Sequence, residues 1–162
     1  MTATPPSRRS ADEQQRLDAA LSELFEHRIS FNETLGLKVL SLAPGAPSVR
    51  FDMRPALVGH FVYGRLHGGV ISAVLDAMGG LALMVAIAEK HADESTEQVL
   101  HRFGRMGTID LRIDFLRQGI GSHFVAGAEV TRLGGRVGST QMRLLNQDGL
   151  LIATGAAAYM VS

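Results

Sequence analysis

A chain of 162 residues, 46% of them apolar, is long enough to bury one sizeable core, and a single domain is the expected count. Sixteen Lys and Arg balance sixteen Asp and Glu with no basic cluster, which gives no reason to propose nucleic acid or a membrane surface as partner and leaves small molecules and copies of the chain itself. The absence of Cys excludes disulfides, thiolate metal sites and a Cys nucleophile, and it suits a reducing compartment, here expected to be the cytoplasm.

Residues 1–10 hold Pro5-Pro6 and Arg8-Arg9 without an apolar core, so they read as a loose tail rather than a secretory signal, and the domain is expected over 11–162. Ser10-Ala11-Asp12-Glu13 has the form of a capping box, and Leu17, Leu21, Leu24 and Phe25 follow at helical spacing, which predicts a helix over about 11–28. Leu37–Ala43 and Ser48–Met53 alternate in character around Pro44-Gly45-Ala46-Pro47, the pattern of two strands and a turn. Residues 54–66 read as a loop, with His60, Tyr63 and Arg65 as candidates to face a ligand.

Between Val70 and Ala88 the only charge is Asp76, so a helix there is apolar on nearly every side and reads as central and buried. The run is long enough to span a membrane. Against that stand the lack of a basic flank and a mid-helix acid followed by Gly79-Gly80. A lone buried carboxylate is costly unless paired, hydrogen-bonded or protonated, which makes Asp76 either a structural acid with a partner or a group held for chemistry. Its helical neighbours Ser72, Ala73, Gly79 and Gly80 are small, whereas Val74, Leu75, Met78, Leu81 and Val85 make a bulky side suited to the core.

At the start of this helix, Gly68 and Gly69 present N–H groups without intrahelical partners at the positive end of the dipole, which suits an oxyanion such as a polarised carbonyl. A nearby carboxylate can activate water or attack the carbon itself. His67 reads either as a structural hydrogen-bonder or as a proton carrier. Gly69 and Asp76 are seven positions apart, roughly 10 Å of helix. One carbonyl cannot easily touch both, so the expectation is a two-fold dimer with antiparallel helices and two composite sites.

Residues 89–105 form a mixed, charged connector with a short helix around 94–103. Four runs of strand character follow, Thr108–Arg117, His123–Leu133, Arg136–Asn146 and Leu150–Val161, divided by Gly119-Ile120-Gly121, Gly134-Gly135 and Asp148-Gly149, and they predict an antiparallel meander. The fold class is therefore α+β, with an antiparallel sheet wrapped around a long central helix.

His67-Gly68-Gly69 with Asp76 nine positions after the His, Gly107–Arg117, and the ending Ala156–Val161 together resemble the PaaI-type hotdog-fold acyl-CoA thioesterases over roughly residues 30–161, the last strand being similar to that of the YigI-like bacterial branch. The resemblance implies a hotdog fold and hydrolysis of a fatty or aromatic acyl-CoA, with coenzyme A entering as part of the substrate and no metal or other cofactor. It assigns Asp76 as general base or nucleophile, Gly68 as the N–H donor to the carbonyl, His67 as a supporting position and Thr108 as holder of the attacking water, and Gly69 is counted with them as a catalytic candidate. Relatives often carry an Asn six positions before the His, where this chain has Phe61; the adjacent His60 is the candidate substitute. Arg117, Arg132 and Arg136 near strand ends are candidates for the coenzyme A phosphates. Met78, Met84 and Phe61 either line an apolar acyl pocket between subunits or pack the core, in a homodimer or homotetramer. Two rivals share the fold: an acyl-thioester dehydratase or hydratase using His67 with Asp76, and a non-catalytic acyl-CoA-binding or sensor protein.

Overall fold

The computed structural model describes residues 8–162. Most of the expected tail, residues 1–7, lies outside them, but its end is held rather than loose. The Arg9 N–H donates to Ala92 O at 2.6 Å, and its guanidinium reaches Ala88 O at 2.6 Å, His91 O at 2.7 Å and Glu94 O at 3.0 Å. These carbonyls end or follow the central helix, where the backbone runs out of intrahelical partners.

The first helix, α1 (Ala11–Glu23), begins at Ser10, whose side chain accepts the Glu13 N–H. It runs on as a widened π turn, Leu24–Arg28, to the expected end near residue 28. A short helix that the sequence reading lacked, α2 (Ser30–Leu35), follows and is closed by Gly36 at φ 75°. Buried Asn32 holds this corner: its Nδ2 donates to Phe25 O at 3.0 Å, inside the wide turn. Leu17, Leu21 and Phe25 are buried in the common core.

Strands β1 (Lys38–Ser41) and β2 (Ser48–Asp52) sit where they are expected. The expected loop 54–66 contains a single 3-10 turn and a two-stranded ladder, β3 (Val58–His60) and β4 (Arg65–Leu66). The central helix α3 spans Gly68–Lys90, and α4 (Thr96–Phe103) lies in the connector behind a complete capping box at Ser95 and Gln98. The last four strands are β5 (Gly107–Phe115), β6 (His123–Leu133), β7 (Val137–Asn146) and β8 (Leu151–Met160).

Six of the strands form one antiparallel sheet in the order β1-β2-β6-β7-β8-β5. The expected four-strand meander is therefore corrected: β6, β7 and β8 are sequential hairpins, but β5 pairs with β8 at the far edge. Gly119-Ile120-Gly121 is no hairpin turn. The connection crosses the sheet end, pinned where Leu116 and Arg117 N–H groups donate to Ile152 O and where the Leu66 N–H donates to Gly119 O. Three strand spacings amount to about 14 Å, within the reach of seven extended residues at about 3.3 Å each.

The sheet curls around α3. Val74, Leu75, Met78, Leu81 and Val85 are buried in one core with Phe51, Phe124, Leu144 and Ile152, and the Phe51 and Phe124 rings stack at 5.3 Å. By length and composition α3 passes as a membrane span, yet 56% of its most apolar window is buried inside this fold, as a core helix requires.

Candidate active site

Asp76 leaves α3 toward the β5 edge of the sheet, and in a single chain it is half-buried rather than fully buried as expected. Its Oδ1 accepts a hydrogen bond from Thr108 Oγ1 at 2.9 Å, and its backbone carbonyl accepts one from Tyr159 Oη at 2.8 Å. The carboxylate opens into a cleft of about 330 Å³. One wall is the small-residue face of α3, Ala73, Ala77 and Gly80, ending at Met84. The facing wall is Phe25, Ile29, Phe31 and Asn32 from the π turn and α2, and Met106 and Tyr159 complete it. A mainly apolar trough with one carboxylate in its lining can hold an acyl chain while presenting its carbonyl to a base.

The Tyr159 phenol stays a neutral donor. Burial, and after it the Asp76 carboxylate, push its pKa far above that of an ordinary phenol.

The N-terminal end of α3 differs from the expectation in one respect. His67 is the N-cap, and its Nδ1 accepts the Gly69 N–H at 2.8 Å. That bond commits the Gly69 donor and, in the neutral ring, puts the proton on Nε2, so the Nδ1 side of His67 serves as a helix cap. The Gly68 N–H has no acceptor among the described residues and remains free for a ligand oxygen. The Phe115 ring lies beside it, 3.4 Å from where a Gly68 Cβ would stand.

The remaining sequence candidates are scattered. His60 packs between the Phe61 and Tyr63 rings, at centroid distances of 5.7 and 4.9 Å, with a buried Nδ1 that has no partner. Phe61 caps the β3–β4 hairpin tip at 91% exposure, so in one chain it neither packs the core nor lines the cleft. Arg117 donates to Leu151 O at 2.9 Å near the Gly68 end of the sheet, whereas Arg132 and Arg136 lie at the opposite end, beside the rows that pair with Tyr159 and Thr108. Met78 is core and Met84 is cleft.

Sequence reasoning missed Phe25, Ile29, Phe31, Asn32, Met106 and Tyr159 as cleft residues. The signal available for Tyr159 was a lone aromatic in the small-residue run Gly155–Ala158, with Gly79-Gly80 marking where something approaches α3 closely. A Cβ on Gly79 would collide with Tyr159 Oη.

Residues 63–153, which hold Gly68, Asp76 and Thr108, match the family model described as the Thioesterase superfamily. The chain is 37% identical over 141 residues to a medium/long-chain acyl-CoA thioesterase, YigI, of Salmonella typhimurium, covering 87% of this chain and 91% of that one. It is 36% identical over the same length to YigI of Escherichia coli, with the same coverage. A crystal structure from Shewanella oneidensis described as related to the thioesterase superfamily superposes with a TM-score of 0.87 at 34% identity, covering 95% of this chain and 100% of that one. With Asp76 on the central helix and a sheet wrapped around it, this chain belongs to the thioesterase superfamily and has its hotdog fold.

Proposed function

We propose that the protein hydrolyses acyl-CoA thioesters to free acid and coenzyme A, with medium or long acyl chains lying in the cleft beside Asp76. The observation that carries this reading is the Asp76 carboxylate, bonded to Thr108, in the lining of a mainly apolar trough. From Ala77 to Met84 the trough follows roughly 10 Å of helix, a length suited to an alkyl chain more than to one aromatic ring. Asp76 takes a proton from water held with Thr108, and the oxygen attacks the thioester carbon while the Gly68 N–H carries the developing oxyanion. Collapse expels the thiolate, and the proton on Asp76 returns to sulfur. Direct attack by Asp76, followed by hydrolysis of the anhydride, uses the same groups. No step calls on a metal or a redox cofactor, and the cytoplasm supplies the substrate.

The site is composite. Edge strand β5 has Thr108, its second residue, beside Asp76 and its last residue, Phe115, beside Gly68. Pairing this edge antiparallel with that of a second copy therefore sets the Asp76 end of one subunit against the Gly68 end of the other. A two-fold centred on Leu111 places Asp110 opposite Arg112 of the partner subunit, and Asp114 opposite Thr108 of the partner subunit. Shifting the centre to Arg112 would oppose Asp110 and Asp114, so charge favours the first register. The same pairing brings Arg117 of the partner subunit to the side of Arg132 and Arg136, where coenzyme A phosphates would lie.

The test is thiol release from an acyl-CoA series of increasing chain length plus phenylacetyl- and benzoyl-CoA. Release peaking on medium or long chains and falling at least a hundredfold in Asp76→Asn is the expected outcome, on the order of the loss of a general base. A change in double-bond absorbance without thiol would instead mean hydratase chemistry. Mixing Asp76→Asn with Gly68→Val should restore part of the activity through mixed dimers. If subunits exchange and none returns, the composite site is wrong.

A further inference from the structure

Thr108 and Tyr159 are directly paired across β5 and β8, and both side chains turn inward to the same residue of α3. Thr108 holds the Asp76 carboxylate, and Tyr159 holds the carbonyl of the peptide that carries it. We propose that this cross-strand pair is a two-point clamp on Asp76, with Tyr159 as a positioning residue that sets where the carboxylate stands. The inference rests on the reading of Asp76 as the group that activates water or attacks the thioester.

Three features argue that the phenol is there for aim as well as packing. Tyr159 is only 3% exposed, yet its hydroxyl reaches a helix carbonyl, which can accept a second bond beside its intrahelical one. A helix backbone carbonyl does not need that second donor for stability. Next, α3 gives up a side chain to admit it: a Cβ at Gly79 would strike Tyr159 Oη and stand 2.8 Å from Thr140 Oγ1. Gly80, by contrast, has open space at its Cβ position and faces the cleft. The glycine pair thus does two separate things, one admitting the clamp and the other leaving room for substrate. Finally, the extra residue Ile109 interrupts the β5–β8 register immediately after Thr108. A bulge there re-aims the strand at the point where Thr108 meets Asp76.

Both bonds act on one rigid body. Thr108 alone fixes the carboxylate relative to β5, and Tyr159 alone fixes the helix relative to β8; together they fix the base in the frame of the sheet edge at which the second subunit is proposed to dock. A displacement of the order of 1 Å at a reacting group is worth up to about a hundredfold in rate.

The experiment compares Tyr159→Phe, Thr108→Val, their double variant and Asp76→Asn in thiol release from an alkyl-CoA, with rates taken per folded molecule by circular dichroism. Tyr159→Phe keeps the ring and should lower kcat about tenfold with KM within about twofold. The double variant should lose less than the product of the two single losses, since both bonds aim one group. Wild-type kcat in Tyr159→Phe beside an inactive Asp76→Asn would overturn the clamp alone. Full release by Asp76→Asn would overturn the reading of Asp76 and the clamp with it. A loss in Tyr159→Phe that only tracks lost helix signal, or that falls on KM rather than kcat, would also overturn the proposal.

Discussion

At one margin of the six-stranded sheet, β1 is four residues long and is covered by the chain's own side chains: Glu26, from the π turn, accepts the Val39 N–H at 2.7 Å and the Lys38 ammonium at 2.9 Å. At the other margin, β5 runs for nine residues with β8 on one side only, and it leaves Ile109 57% and Phe115 56% exposed. A short, charged, capped strand is how a protein keeps other chains from adding to its sheet, and a long, open strand with apolar side chains invites one. The contrast makes β5 the edge at which the proposed second copy would dock. It is also the edge that carries the proposed chemistry, because β5 links the Thr108–Asp76 pair to the surroundings of Gly68, whereas nothing from β1 lines the cleft.

The comparison breaks most visibly if the charges on β5 are reversed. Arg112→Asp would set two acids, rather than an acid and a base, across each side of the two-fold, and it also removes the Arg112–Asp114 pair at 3.1 Å. Two unfavourable cross-strand pairs of roughly 0.2–1 kcal/mol each, replacing two favourable ones, amount to roughly 0.8–4 kcal/mol, a weakening of the dimer of at least about fourfold. Sedimentation should show monomer, and thiol release should fall with the dimer population. Adding Asp110→Arg restores opposite charges in the same register and should recover both. A single variant that stays dimeric and active would show that β5 is not the assembly edge.

How much of this was legible in the sequence follows from how far apart the deciding residues lie. Helix α3 and Asp76 were legible because one acid in an apolar run is a local contrast that no distant partner has to supply. The hairpins β6–β7 and β7–β8 were legible for the same reason, each turn carrying its own Gly residues. The placement of β5 was not, since nothing within Gly107–Phe115 says whether β6 or β8 will pair with it. That choice is made by the closure of the whole sheet around α3. The cleft wall was hidden for a related reason: Phe25, Ile29 and Phe31 face Ala77 and Gly80 only because the π turn and Asn32 bend the chain back between α1 and β1. At His67 the sequence left two roles open, and the structure adds a cap bond at Nδ1 that the sequence did not announce.

The covered edge offers a smaller effect with a defined pH dependence. Burial alone would raise the Glu26 carboxyl, but the bonds from Lys38 and the Val39 N–H outweigh it and leave the group below its ordinary 4.5. A carboxylate depressed on folding stabilises at pH values above its unfolded pKa, and the contribution is lost as pH falls through the folded value. Urea unfolding should therefore place Glu26→Gln about 1 kcal/mol below the wild type at neutral pH. The gap should close as the pH is taken below 4.5. A gap that persists in acid would mean that Glu26 acts through packing and that charge does not seal β1.

The finest test uses one exposed apolar residue from each edge. Leu40 on β1 is 55% exposed and Ile109 on β5 is 57% exposed, so solvent exposure in the single chain does not distinguish them. If both were ordinary surface residues, replacing either by Lys would leave stability within about 0.5 kcal/mol and assembly untouched. The edge comparison expects that result only for Leu40→Lys. Ile109→Lys puts a charge at the bulge beside Thr108, on the strand expected to meet a second copy, and it should weaken the dimer measurably while leaving the isolated fold alone. Equal behaviour of the two variants in sedimentation would remove the distinction between the edges, and with it the argument that the second copy completes the site.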